Sequence, residues 1–277
     1  MSQGPEDISI SGSLQFLSGS GSGYELQMGR WSRRLAPRFL RFAGLSAGSR
    51  VLDVGCGTGS LSFCLGNDPA ICGVHGVDLS PDYIAYAKQK KFDSRLTFQI
   101  GDACSLPFPD QSFDHTLSML VLQFIPHSEV AIREMRRVTR PGGVVAAATW
   151  DSRGGLVAQR IILDTAAVLD SSANDFRART CTRPMSRPGD LERAWRHAGF
   201  VDVAEEMLTM RMDFKSFADF WAPALGRDGP IAEYVATLAP AMRARLREEV
   251  RQAYLDGEND GTRSYAAISW AIKGRVP

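Results

Sequence analysis

The sequence has little that would tie it to a polyanion, a metal or an oxidising compartment. Its 32 basic residues are almost matched by 31 acidic ones, for a formal charge of +1. The surplus on which phosphate neutralisation rests is missing, and nucleic acid is not expected as a partner. Four histidines, at 75, 115, 127 and 197, are scattered without ligand spacing, and no two of the five cysteines form a C-x-x-C pair. No metal site is expected. An odd set of cysteines (56, 64, 72, 104, 181), several inside apolar runs, reads as reduced core residues rather than a disulfide framework. No apolar run approaches the roughly 18 residues needed to span a bilayer. Residues 1–23 lack the basic start and apolar core of a secretory signal and end in Ser18-Gly19-Ser20-Gly21-Ser22-Gly23, which predicts a flexible tail. Together these absences predict a cytoplasmic protein.

What is present is apolar mass and one glycine-rich turn. With 277 residues, 44% hydrophobic and 23% charged, the chain can bury a large core, and one α/β domain with an elaboration is the natural expectation. In Val51-Leu52-Asp53-Val54-Gly55-Cys56-Gly57-Thr58-Gly59-Ser60-Leu61 an apolar strand runs into three alternate glycines and then a helix. Such a turn lets a ligand lie on the backbone at Gly55 and Gly57. A second apolar run, Ile71–Asp78, ends in an acid suited to accept both hydroxyls of an adenosine ribose. Dinucleotide folds place a further glycine where this chain has Ser60, to admit a pyrophosphate. Its absence favours an adenosyl ligand without phosphate and counts against a nicotinamide-dependent oxidoreductase, which shares the strand-glycine-helix-acid layout.

Three more stretches follow in order. Gly101-Asp102-Ala103 closes a strand over Leu96–Ile100; Leu106-Pro107-Phe108-Pro109-Asp110-Gln111-Ser112-Phe113-Asp114 precedes a strand over His115–Met119; Arg137-Val138-Thr139-Arg140-Pro141-Gly142-Gly143 ends a helix over Ser128–Val138 and leads into a strand over Val144–Thr149. With Asp53–Gly59, these resemble the motifs of class I S-adenosylmethionine-dependent methyltransferases, in particular the small-molecule enzymes of ubiquinone and menaquinone biosynthesis. The resemblance covers Val51 to Trp150. It implies a Rossmann-like, seven-stranded, mostly parallel sheet with the last strand antiparallel and helices on both faces. It also implies S-adenosyl-L-methionine as cofactor, S-adenosyl-L-homocysteine as product, and a small-molecule methyl acceptor. The cofactor contacts it implies are Asp53, Gly55, Gly57, Asp78 and Leu79 at the first two strands, Asp102 and Ala103 at the adenine, and Met119 on the fourth strand. An entry segment with Tyr24 and Arg30 is implied to cap the ligand, Arg30 either pairing with the methionine carboxylate or remaining a solvated surface arginine.

The expected organisation is a methyltransferase domain over 24–277. Within it lie a cap helix at 24–46, a cofactor-binding core at 47–150, and a helical insertion at 213–262 acting as a lid between the last two strands. The insertion rests on spacing: about 50 residues with Phe217, Phe220, Trp221 and Tyr234 separate the strand patterns Phe200–Phe214 and Tyr265–Lys273. Helices are also expected over Arg30–Phe42, Gly155–Leu169, Pro188–Gly199 and Met242–Leu255. Transfer from a sulfonium needs alignment more than acid-base help, so no catalytic signature is required. His127, just after Pro126, is a candidate general base or an exposed helix-entry residue, and Gln123 a candidate polar contact or a satisfied buried amide. A cofactor-binding protein without turnover shares every one of these features. The acceptor and the oligomeric state are not written in the sequence.

Overall fold

The computed structural model describes residues 21–226 and 229–277. Seven strands, β1 (Ser49–Val54), β2 (Ile71–Asp78), β3 (Leu96–Ile100), β4 (Phe113–Met119), β5 (Thr139–Trp150), β6 (Val201–Phe214) and β7 (Arg263–Arg275), form one sheet in the order β3-β2-β1-β4-β5-β7-β6. The pairs from β3 to β5 are parallel, and β7 runs antiparallel to both its neighbours. β1 sits between β2 and β4, so the crossover direction reverses there and a crevice opens beyond the strands' C-terminal ends. That topology is the fold class expected above, including the helical insertion before the last strand.

Helices α1 (Gly21–Tyr24), α2 (Arg30–Ala43), α3 (Ser60–Gly66), α4 (Pro81–Lys90), α5 (Ser128–Val138) and α6 (Val157–Leu169) accompany the first five strands. Next come α7 (Ala173–Cys181), α8 (Asp190–His197), α9 (Phe217–Trp221), α10 (Pro230–Thr237) and α11 (Pro240–Leu255). Local chemistry sets several of these boundaries. Ser80 accepts the Tyr83 amide at 3.3 Å and Pro81 opens α4, so its N-terminus is both capped and pre-set. Gly44, in the left-handed region at φ 68°, ends α2 by donating to the Leu40 carbonyl.

Leu35 and Phe39 of α2 and Leu61 and Leu65 of α3 join one core on the first face of the sheet, together with Ile162 of α6. On the other face, Ile132 and Met135 of α5 and Leu191 and Trp195 of α8 build the second core. Each fully buried side chain of this size contributes on the order of 1.5–3 kcal/mol. The Trp195 indole also donates to the Val145 carbonyl at 3.1 Å, which leaves no polar atom of that ring unmet in the core.

Several expectations need correction. Gly21–Tyr24 is helical, which removes residues 21–23 from the tail expected over 1–23; the rest of that expectation, 1–20, lies outside the described residues. A π-helical turn, Glu25–Gly29, precedes α2, and α7, α9 and α10 were not anticipated. Pro141-Gly142-Gly143 was read as a stop before a strand at Val144, but it belongs to β5. The extra residues bulge there, the register jumping from Phe113↔Thr139 to His115↔Val144. All five cysteines are free, yet only Cys56 and Cys181 are buried, and Cys72 is exposed. The aromatic residues of the insertion pack as core: Phe217, Phe220 and Trp221 are buried, and their rings meet Phe214, Tyr254 and Tyr265. Among the described residues no helix is long and apolar enough to cross a membrane, and no group of three ligating side chains is arranged to hold a metal.

Candidate cofactor crevice

The C-terminal ends of β1, β2, β3 and β4 open into a crevice of about 430 Å³. Its floor is the glycine turn. Gly55 holds φ 71°, and a Cβ there would lie 2.4 Å from a Val121 methyl, so only glycine fits. Gly57 holds φ 53°, and a Cβ there would meet nothing within 4 Å, so this part of the turn faces open space. The turn is tied to the next strand: Asp78 Oδ2 accepts the Gly57 amide at 2.8 Å, and Oδ1 accepts the Ser80 amide at 2.9 Å. Burial raises the Asp78 carboxyl above its usual range, while the two amides pull it back.

A second carboxylate lies deeper. Asp53 is 1% exposed and accepts the Ser62 hydroxyl at 2.6 Å. Burial is the main cause that pushes its carboxyl up to about 7, with the charge of Asp78 adding to it and the Ser62 bond opposing. At the far side Asp102 is exposed and binds the Cys104 amide through Oδ1 at 2.8 Å. Leu79, Ala103 and Met119 supply apolar wall. Tyr24 closes the top: its hydroxyl is 3.1 Å from Ser32 Oγ, its ring lies 5.4 Å from that of Tyr83, and burial lifts the phenol to about 12. Ser60 also faces the crevice, and its buried hydroxyl has no partner among the described residues.

This donor and acceptor set suits an adenosyl ligand. Open backbone at Gly57, carboxylates at both ends, an unmet hydroxyl and apolar walls would hold ribose, adenine and a cationic amino-acid end, and among the described residues no basic cluster stands there for a pyrophosphate. Residues 52–147 match the methyltransferase-domain family. That stretch is a methyltransferase domain by this match.

The chain is 34% identical over 119 residues to the 27-O-demethylrifamycin SV methyltransferase of Amycolatopsis mediterranei, a stretch that is 41% of this chain and 43% of that protein. It is 36% identical over 110 residues to demethylmenaquinone methyltransferase of Staphylococcus aureus, 39% of this chain and 46% of that one. It thus spans less than half the length of these curated relatives. A solved phosphoethanolamine N-methyltransferase 2 of Haemonchus contortus, in complex with S-adenosyl-L-methionine, superposes with a TM-score of 0.56. That match is 19% identical and covers 93% of this chain and 56% of the other, a likeness of fold.

The structure brings Tyr24, Asp53, Gly55, Gly57 and Asp78 to the crevice wall, together with Leu79, Asp102, Ala103 and Met119. Arg30 does not reach it. Its guanidinium binds both oxygens of Asp219 at 2.9 and 3.1 Å and lies 4.2 Å from the centre of the Trp31 ring, which turns it toward the insertion. His127 lines the rim, with a side chain 66% exposed and Nδ1 3.8 Å from Glu129 Oε1. Gln123 is buried and opens onto a second, smaller cavity instead.

Sequence reasoning missed three participants and the backbone conformation of Leu120, whose segment Leu120–Ile125 is expected to face the crevice. Ser60 was legible as the residue standing where a dinucleotide site has glycine. Glu25 accepts the Thr58 hydroxyl at 2.6 Å and pairs with Arg33, fastening the entry segment to the glycine turn, and it carried no local signal. Tyr83 reads only as an inward residue of α4. Leu120 holds φ 68°, the left-handed region that a leucine enters at a cost, and no pattern announces that.

Proposed function

We propose that the protein methylates a small organic acceptor, using S-adenosyl-L-methionine held in the crevice by the glycine turn and by Asp78 and Asp102. The observation that carries this reading is the Gly57 and Asp78 pair. The amide donates to a carboxylate that has its other oxygen on Ser80, so the turn stays open and the acid stays aimed beside it. Asp78 would accept the ribose hydroxyls, and Asp102 the exocyclic amine of adenine beside the Ala103 amide. Asp53 and Tyr24 would close around the amino-acid end.

Bound there, S-adenosylmethionine supplies a methyl group already activated by its sulfonium. The chain's own task is then to align a nucleophile and keep water out. Tyr24, Leu120 and Phe124 stand between the crevice and the neighbouring cavity, and they would shield the line of approach. His127, whose imidazole lines the rim, would take a proton from an acidic acceptor.

The names of the relatives support a small acceptor: one is a rifamycin methyltransferase and another a demethylmenaquinone methyltransferase. The test is a thermal-shift series with S-adenosylmethionine, S-adenosylhomocysteine and NAD, followed by a methyl-release assay on a metabolite panel. Stabilisation by the two adenosyl compounds alone is the expected result. Stabilisation by NAD alone would overturn the reading.

A further inference from the structure

Next to the crevice lies a second cavity of about 70 Å³, and the two share Tyr24, Leu120 and Phe124 as common wall. Most of its lining is apolar, from Met28, Trp150, Leu156 and Ile231. Two of the polar side chains that interrupt that lining are Gln123 and Arg183. Gln123 is 2% exposed, and its Oε1 has no donor among the described residues. A buried amide oxygen left that way is destabilising, and a ligand donor would relieve it.

Arg183 is the second. It is half-buried, its guanidinium lies 4.5 Å from the centre of the Phe124 ring, and among the described residues no carboxylate is within ion-pair distance of it. Glu233 acts on it only at longer range. Burial pushes the guanidinium below its ordinary value, the direction expected of a cation short of a counter-ion. Three other half-buried arginines each have a carboxylate: Arg30 has Asp219, Arg95 has Asp93 and Arg160 has Asp164.

We propose that this cavity receives the acid end of the methyl acceptor, leaving the atom that takes the methyl on the crevice side, and that it selects a small, apolar-bodied acid with a hydrogen-bond donor. Arg183 grips the acid oxygens with its fork, and Gln123 accepts from the donor. A carboxylate, phenolate or enolate satisfies the arginine equally, because each offers a charge-assisted acceptor to a planar donor. The apolar walls reject a strongly hydrated body, and the shared wall keeps the acid within reach of the crevice. Leu120, held in its left-handed conformation between the two spaces, stands at the point where acceptor and cofactor would meet.

The proposal rests on the methyltransferase reading, and one calorimetric series separates the two. The full chain is titrated first with S-adenosylhomocysteine; the saturated protein is then titrated with 3-hydroxybenzoate, benzoate and the neutral 3-hydroxybenzamide. The acid is expected to bind at least tenfold more tightly than the amide. Arg183→Gln should remove that preference, Arg183→Lys should keep part of it, and Gln123→Met should erase the advantage of 3-hydroxybenzoate over benzoate. S-adenosylhomocysteine affinity should stay within about twofold in every variant, which also reports that each is folded. No binding of S-adenosylhomocysteine to the wild type would defeat the functional reading. Binding of S-adenosylhomocysteine with no measurable affinity for the acid, or an acid preference that survives Arg183→Gln, would defeat the acceptor site.

Discussion

The floor of the crevice and the insertion between β6 and β7 are held together by different physics. The floor is short-range and polar: a glycine turn, a buried carboxylate at Asp53 and a half-buried one at Asp78, and hydrogen bonds of 2.8 and 2.9 Å from amides that leave little freedom of position. The insertion is held by rings. Phe214, Phe220, Tyr254 and Tyr265 lie with centroids 5.1–6.3 Å apart, and a salt bridge from Arg30 to Asp219 ties this cluster to the entry segment. Damage to the floor should therefore cost ligand affinity with modest loss of stability, and damage to the insertion should do the reverse.

Phe220→Ala should break the comparison most heavily. Its side chain is 3% exposed, and truncation should cost about 3–5 kcal/mol, read as a fall in the urea midpoint. S-adenosylmethionine affinity of the fraction that stays folded should change less than twofold. A large loss of affinity would mean that the insertion shapes the floor. Asp78→Ala comes next. Removing a carboxylate that binds two amides should weaken S-adenosylmethionine by about 2–3 kcal/mol in calorimetry, as for hydrogen bonds to a charged group. Unchanged affinity would take Asp78 out of the site.

Asp53 offers a subtler test through pH. Its folded-state carboxyl is raised to about 7 from 3.8, so the folded protein keeps a proton that the unfolded chain releases. Its contribution to stability is full below about 3.8 and is lost as pH rises through about 7, the reverse of a salt-bridged acid. A cationic ligand prefers the ionised form. S-adenosylmethionine should therefore bind more tightly as pH climbs toward about 7, by up to roughly tenfold per unit, and level off above it. Asp53→Asn should flatten the profile, and the product, which lacks the sulfonium charge, should show a shallower one. A profile unchanged by Asp53→Asn would reassign the proton.

The smallest effect belongs to Arg30→Gln. Its bridge to Asp219 is partly exposed, so stability should fall by no more than about 1 kcal/mol. Cofactor affinity should not move, because the guanidinium points to the insertion; a tenfold loss would return Arg30 to the crevice.

The two regions also differ in how far they could be read from the chain. Strand, glycine turn and acid are local signals, and from Val51 to Trp150 the elements fall close to where hydrophobic runs and Gly/Pro punctuation put them. Nine of the ten expected cofactor contacts line the crevice, and all of these but Tyr24, which is on α1, sit at or just past the C-terminal end of a strand. Arg30 was misplaced because its partner is 189 positions away, and nothing near residue 30 announces Asp219. Helices α7, α9 and α10 escaped notice because they are short, and their burial depends on distant rings rather than on a periodic stripe. The bulge in β5 shows the converse error, since Pro141-Gly142-Gly143 carries strong local punctuation that sheet pairing overrides.

The pairing of β6 with β7 has a consequence for how such a protein diversifies. Phe214 and Arg263 face each other as the last matched residues of a long antiparallel ladder, so the excursion over 215–262 departs and returns at adjoining points. Closing that loop asks nothing of the remaining strands. The excursion can be lengthened, shortened or traded for another while the glycine turn and its acids stay where they are, so a new clientele of acceptors can be recruited without rebuilding the part that holds the donor.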